Sequence, residues 1–281
     1  MARQGAALAR RARPSSLTMS TLFETYGAFG CVAAGLFGLV VGSFVNVLVH
    51  RLPRGESVVF PRSHCPSCGA TILARDNVPV VSWLLLGGRC RVCRAPISAR
   101  YPALELANGA LWVFVFLKAR AWPDFASGAF FATACLALAA IDAEFQILPD
   151  KITLTGVACG LLLAFVSKTR TPGSALLGAA LGGGGLYLVA FLYEKIAGQE
   201  GMGLGDVKML AMIGAFLGPA GALVSVLLAS LAGSAVGLAL MAAGRGDRRS
   251  RLPFGVFLAA GGVAAFFFGD WLLTRYRALW P

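Results

Sequence analysis

The sequence predicts an all-α polytopic membrane protein of about eight transmembrane helices, with a small cytoplasmic zinc-ribbon-like insert. Three observations carry this. Hydrophobic residues make up 57% of the chain and charged residues 14%, against about 25% charged in a soluble domain. The apolar residues fall into runs near the roughly 20 residues that cross a bilayer. The one long polar segment, residues 51–100, holds two C-x-x-C pairs separated by 21 residues. The expected organisation is a basic tail over 1–26, a first transmembrane helix over 27–50, a four-cysteine zinc-binding insert over 51–100 and a transmembrane core over 101–281.

The candidate spans are 27–49, 102–117, 125–141, 152–167, 174–193, 207–218, 219–243 and 254–273. The sixth and seventh meet at Gly218-Pro219-Ala220-Gly221, a tight turn by its content. The sixth is short, which points to a broken or tilted helix. The first run is too long for a cleavable signal peptide. The four-glycine run Gly182 to Gly185 lies inside the fifth span and fits close helix packing.

The net charge of +12 would suit a nucleic-acid partner, but its distribution argues for a membrane instead. Lys and Arg mark cytoplasmic loops. With 51–100 placed inside, the inner loops hold 15 of the 25 basic residues and the outer loops six. Arg3, Arg10, Arg11 and Arg13 of the tail fall on the outer side against the rule; a translation start at Met19 would remove all four.

In this topology the third span ends inside at Asp142, in Ala140-Ile141-Asp142, and the sixth begins inside at Asp206, in Gly203-Leu204-Gly205-Asp206. An acid at the rim of the hydrocarbon is costly and points to a task. Two carboxylates sharing one proton can activate water and protonate a leaving group. Asp150 and Asp206 also suit helix N-caps, and Glu144 reads as a surface acid. The alternating glycines before Asp206 permit close backbone approach, and Lys208 has an acid or the membrane surface within reach. Glu105, just inside the second span, reads as structural, substrate-orienting or a snorkelling surface acid.

Cys65, Cys68, Cys90 and Cys93 have the spacing of a four-thiolate zinc site, each pair forming a knuckle with room for a small hairpin between them. Four thiolates leave no open position, so the zinc would be structural. His64 reads as a plain loop histidine, with replacement of one ligand as the alternative. A reducing compartment disfavours disulfides. Fifty residues build little core, so the metal would hold the insert together. Its apolar stretch Val78 to Leu86 would face the membrane or a substrate. Cys31, Cys135 and Cys159 read as packing residues.

The ordered motifs resemble those of the type IV prepilin leader peptidases, a family of aspartic membrane proteases. They are Gly42-Ser43-Phe44-Val45-Asn46-Val47 with His50-Arg51-Leu52-Pro53, Ser63 to Cys68, Asp76-Asn77-Val78-Pro79, Ser82-Trp83-Leu84, Arg100-Tyr101-Pro102 with Glu105, Ile141-Asp142 through Asp150, Met202 to Lys208, and Pro253-Phe254-Gly255. The long basic N-terminus and Ala143-Glu144-Phe145 depart from the family pattern. The resemblance implies catalytic Asp142 and Asp206 and an active site at the cytoplasmic face of a bacterial inner membrane. It implies cleavage of prepilins or pseudopilins after a leader glycine. It also implies N-methylation from S-adenosylmethionine, and the pilus or type II secretion machinery as partner, beside membrane lipid. Glu56, Asp76, Glu144 and Glu200 are candidate contacts for a basic leader. A proton-coupled carrier, a non-catalytic scaffold and a methyltransferase without protease activity are the other readings of the same acids and insert.

Overall fold

The computed structural model describes residues 21–198, 202–244 and 252–279. The basic tail with Met19, Glu200 and the arginines of 245–251 lie outside the described residues. Seven long helices form a bundle: α1 Leu22–Arg51, α3 Arg100–Lys118, α4 Trp122–Phe145, α5 Asp150–Leu163, α6 Pro172–Ala197, α7 Leu204–Ala242 and α8 Phe254–Ala278. A short α2, Val81–Leu85, lies in the insert. Among the described residues five helices, α1, α4, α6, α7 and α8, are long and apolar enough to cross a membrane. The 14 residues of α5 reach only about 21 Å, less than a hydrocarbon core of about 30 Å. The helix lengths therefore do not establish the expected eight spans.

Local chemistry starts and pairs these helices. Thr21 caps α1 by accepting the Glu24 N–H at 3.3 Å, while Glu24 accepts the Thr21 N–H at 2.9 Å. α1 then runs against α3 along a seam of small residues. A Cβ on Gly38 would lie 2.9 Å from the Gly109 Cα, and one on Gly42 would lie 2.8 Å from the Glu105 Cα. Such contact between backbones needs glycine. Beside the seam the buried Asn108 donates to the Gly38 carbonyl at 2.8 Å and accepts from Thr133 at 2.9 Å, tying α1, α3 and α4 together.

The turn expected at Gly218 is present inside α7. Gly218 has φ 72 and ψ −178, and Pro219 follows it. The packing of α6 shows that the chain folds back there. Gly218 sits on Ser174, Gly214 on Gly178, and Gly182 faces both Leu210 and Ala222. Positions 210 and 222 are thus level with one another, so the arms 204–217 and 219–242 run antiparallel. The four-glycine run divides: Gly182 and Gly183 touch the first arm of α7, whereas Gly184 and Gly185 face open space. A side chain at Gly178 would meet the Gly214 backbone, which cannot rotate aside. Gly178→Val is expected to destabilise the bundle by about 2–3 kcal/mol, read as a lower melting temperature in detergent.

The core lies between α4, the first arm of α7 and α8. Phe131, Cys135 and Leu138 pack against Met209, Met212, Ile213, Phe216 and Leu258, all essentially inaccessible. A second cluster joins Val45 and Val49 of α1 to Ala137 and Ile141 of α4. It sets the end of α4, and therefore Asp142, beside the end of α1.

Candidate active site and metal centre

α4 stops because Gln146 turns left-handed at φ 53 and ψ 38, its N–H closing on the Asp142 carbonyl at 2.9 Å. Asp142 occupies the last turn and is buried, with 5% of its surface exposed. The first turn of α8 faces it, and the Val256 N–H is shared between the Pro253 carbonyl at 3.3 Å and this carboxylate. Val256 donates to Oδ2 of Asp142 at 3.1 Å, the favourable meeting of a helix N-terminus with an acid. Gly255 makes this approach possible, since a Cβ there would lie 2.8 Å from the same oxygen. In the sequence Pro253-Phe254-Gly255 marks only the start of a span. A proline–glycine opening to an apolar helix is the signal that was available.

Asp206 lies in the first turn of α7, but Gly203 holds the cap position. Asp206 is therefore not the N-cap; it sits three residues further in, half-buried. Leu148, in the loop between α4 and α5, joins the two turns. It lies 3.0 Å from where a Cβ of Gly205 would stand and 3.0 Å from the equivalent point at Gly255. This one side chain packs the turn bearing Asp206 against the turn that holds Asp142. Gly203 is more open, its nearest neighbours being 3.9 Å from a would-be Cβ.

The other acids have partners of their own. Asp150 is not a cap, because Pro149 holds that position; its carboxylate receives Lys208 at 2.7 and 2.8 Å, bridging α5 and α7. Glu144 pairs with Arg100 at the surface. Asp76 is held by Arg91 through contacts of 2.6–3.0 Å. Glu105 is buried and accepts the Val80 N–H at 2.7 Å, which favours the structural reading over the snorkelling one.

Gly255→Ala is expected to push on the Asp142 carboxylate and on Leu148 together. Misplacing a reacting group by a fraction of an ångström lowers the rate roughly tenfold or more. The loss should appear in kcat with little change in melting temperature; an unaltered kcat would show that the site tolerates the added methyl.

The four cysteines of the insert come together. One sulfur from each of Cys65, Cys68, Cys90 and Cys93 lies within 4.8 Å of the others. A tetrahedral zinc with Zn–S of about 2.3 Å sets its sulfurs roughly 3.8 Å apart, and the Cys65 and Cys93 sulfurs stand 3.8 Å apart. The donor set and spacing fit zinc. Each pair occupies a tight turn closed by an isolated antiparallel bridge, His64 with Thr71 and Arg89 with Pro96. Backbone N–H groups of Cys68 and Ser67 draw the Cys65 thiol down to about 6. Those of Cys93 and Val92 lower Cys90 in the same way. The Ala95 N–H favours the Cys93 thiolate, but desolvation and the three neighbouring thiols hold that group up at about 11. A divalent cation relieves this crowding of like charges. Between the knuckles, where the spacing leaves room for a small hairpin, the chain forms a 3-10 turn at Ala74–Asp76 and then α2.

Residues 36–119 match the bacterial peptidase A24 N-terminal domain, and residues 129–238 match the type IV leader peptidase family. Among similar curated proteins, one from Burkholderia pseudomallei is 41% identical over 83% of this chain and 84% of its own length. One from Aeromonas hydrophila is 37% identical over 86% and 93%, and one from Pseudomonas aeruginosa is 36% identical over 86% and 91%. All three are named prepilin leader peptidase/N-methyltransferase. No solved structure matches. With both of its halves matched and relatives of this identity along most of its length, the chain belongs to the type IV leader peptidase family.

Proposed function

We propose that this chain is a membrane aspartic endopeptidase, with Asp142 and Asp206 as its catalytic pair, that removes the leader of a prepilin or pseudopilin after a glycine. The observation that carries the reading is the clasp around Leu148, which packs the turn of one acid against the helix that holds the other. The carrier reading calls for acids near the bilayer midplane, and both of these lie within one turn of a helix end. The excess of Lys and Arg in the loops at this end supports its placement at the cytoplasmic face of the inner membrane.

In the reaction an ionised carboxylate takes a proton from water. The water oxygen attacks the carbonyl carbon of the leader glycine, and the protonated partner donates to the carbonyl oxygen. Collapse of the tetrahedral intermediate breaks the C–N bond; the proton held by the first carboxylate passes to the departing amine, and the gem-diol returns its proton to the partner as the carbonyl re-forms. The pair titrates as a unit, so its single proton belongs to both residues. The Val256 N–H fixes one carboxylate in place throughout. With Asp76 and Glu144 already paired to arginines, Glu56 is the exposed acid of the proposed leader contacts that has no such ion pair among the described residues. Zinc, held by Cys65, Cys68, Cys90 and Cys93, would fix the fold of the insert and take no part in cleavage.

N-methylation of the new terminus from S-adenosylmethionine is proposed from the names of the relatives. Among the described residues, two recesses of the bundle, one lined by Cys31, Gly35 and Leu39 and the other by Ser230, Ser234 and Phe257, carry no carboxylate for a ribose. The test is incubation of the purified protein with a membrane-embedded prepilin, reading the product N-terminus by mass spectrometry. Cleavage after the leader glycine supports the peptidase, and the added mass of one methylene with S-adenosylmethionine present supports the methylation. An intact substrate with well-folded protein would favour the scaffold instead.

A further inference from the structure

The helix α2 is built inside out. Val81, Leu84 and Leu85 share one face by their i, i+3, i+4 spacing, and they are 51%, 63% and 81% exposed. The polar Ser82 points inward; it is buried, donates to the Arg75 carbonyl at 2.9 Å and accepts the Val78 N–H at 2.9 Å. Trp83 also turns inward, donating to the Ile97 carbonyl at 3.1 Å. In water such a helix would expose its apolar face and bury its hydroxyl. Beside hydrocarbon the arrangement is the stable one.

The depth of α2 comes from the residue before it. The Val80 N–H bonds to Glu105 at 2.7 Å. Glu105 is the sixth residue of α3, about 7.5 Å along the helix from Arg100. It packs against Gly42, nine residues before the end of α1. The carboxylate is therefore inside the apolar bundle, where a buried acid needs a hydrogen-bond donor. The insert descends to supply one. Val80 has φ 62 at this point, a conformation that β-branched residues avoid. The backbone is bent where it meets Glu105, and α2 begins at the next residue.

We propose that α2 lies in the hydrocarbon margin of the leaflet at the Asp142 end, with Val81, Leu84 and Leu85 against lipid acyl chains. Arg75 and Arg89 flank the helix and are exposed, placed for the phosphates of anionic headgroups. The insert would then ride on the membrane as well as on α1 and α3. This inference rests on burial, depth and the Glu105 bond, and does not depend on the peptidase reading.

The test is lipid crosslinking in the full chain. A benzophenone amino acid replaces Leu85, or in separate samples Leu84 or Leu106, in nanodiscs of zwitterionic and anionic phospholipid. Leu106, one residue past Glu105 and 53% exposed, is the internal standard for a lipid-facing site at this depth. Melting temperatures equal to wild type establish that each variant is folded. The expected result is a phospholipid adduct at Leu84 and Leu85 with a yield within about threefold of that at Leu106. A lower yield overturns the proposal. So does replacement of the lipid adducts by peptide adducts when a prepilin is added, which would make α2 a substrate-docking face.

Discussion

Asp142→Asn and Asp206→Asn are each expected to lower prepilin cleavage by roughly 10³-fold or more, with the protein still folded. Asparagine keeps the shape of aspartate, and its carbonyl oxygen can still accept the Val256 N–H that Asp142 receives at 3.1 Å. The surrounding packing of Leu148, Gly205 and Gly255 is untouched by either change. What is lost is the proton traffic, since an amide can neither take a proton from water nor return one to the amine. The two losses should not multiply in the double variant, because the residues act as a unit. Cleavage of a membrane-embedded prepilin by all three variants, each matched to wild type in melting temperature, checks this. Wild-type rates in either single variant would remove the aspartic mechanism. The wild-type pH profile should be bell-shaped, reporting the macroscopic titration of the pair.

The second large effect concerns the four cysteines. Replacing Cys90 with Ser, or removing metal with a chelator, is expected to strip the zinc and unfold the insert while the helix bundle stays intact. Structural zinc supplies on the order of 10–16 kcal/mol in isolated zinc fingers, and a segment this small has little core to fall back on. Residues 51–100 contain eight arginines, so trypsin should cut the metal-free insert rapidly and the loaded one slowly. Metal analysis should give about one zinc per chain before and none after. Acid should have the same effect as the chelator. The Cys65 thiol, drawn down to about 6 by the Cys68 and Ser67 N–H groups, has a folded value below its ordinary one. In the metal-free insert its contribution is complete above the ordinary thiol value of 9.0 and is lost as pH falls from there through about 6, and protons compete with zinc for the same thiolates. A metal-free insert that resists trypsin as well as the loaded one would show that zinc is dispensable for the fold.

Much of this architecture was legible because it depends on patterns close in sequence. Apolar runs give helices, and Gly218-Pro219 gives a break that the packing of Gly178, Gly182 and Gly214 turns into a hairpin. Two C-x-x-C pairs give one cluster. What the sequence leaves open depends on backbone conformation and on contacts between distant segments. Asp206 and Asp150 look like caps by residue type, yet Gly203 and Pro149 hold those positions. Capping is decided by backbone conformation, which composition alone does not fix. The room between the knuckles is taken by α2, and Val80 just before it bonds a carboxylate 25 residues away in α3. The hold of Val256 on Asp142 spans 114 residues, and no local periodicity encodes it.

That last contact also has a bearing on biogenesis. The clasp on Asp142 belongs to α8, the final helix of the described chain. During synthesis Asp142 and Asp206 both emerge and insert well before residues 254–278 do. A nascent chain at that stage already has both acids, but Asp142 lacks the donor that orients it and Leu148 lacks the Gly255 wall. On the proposed mechanism, activity therefore waits for the last helix to dock. A half-built molecule would be spared from cutting other nascent membrane proteins passing through the same insertion site.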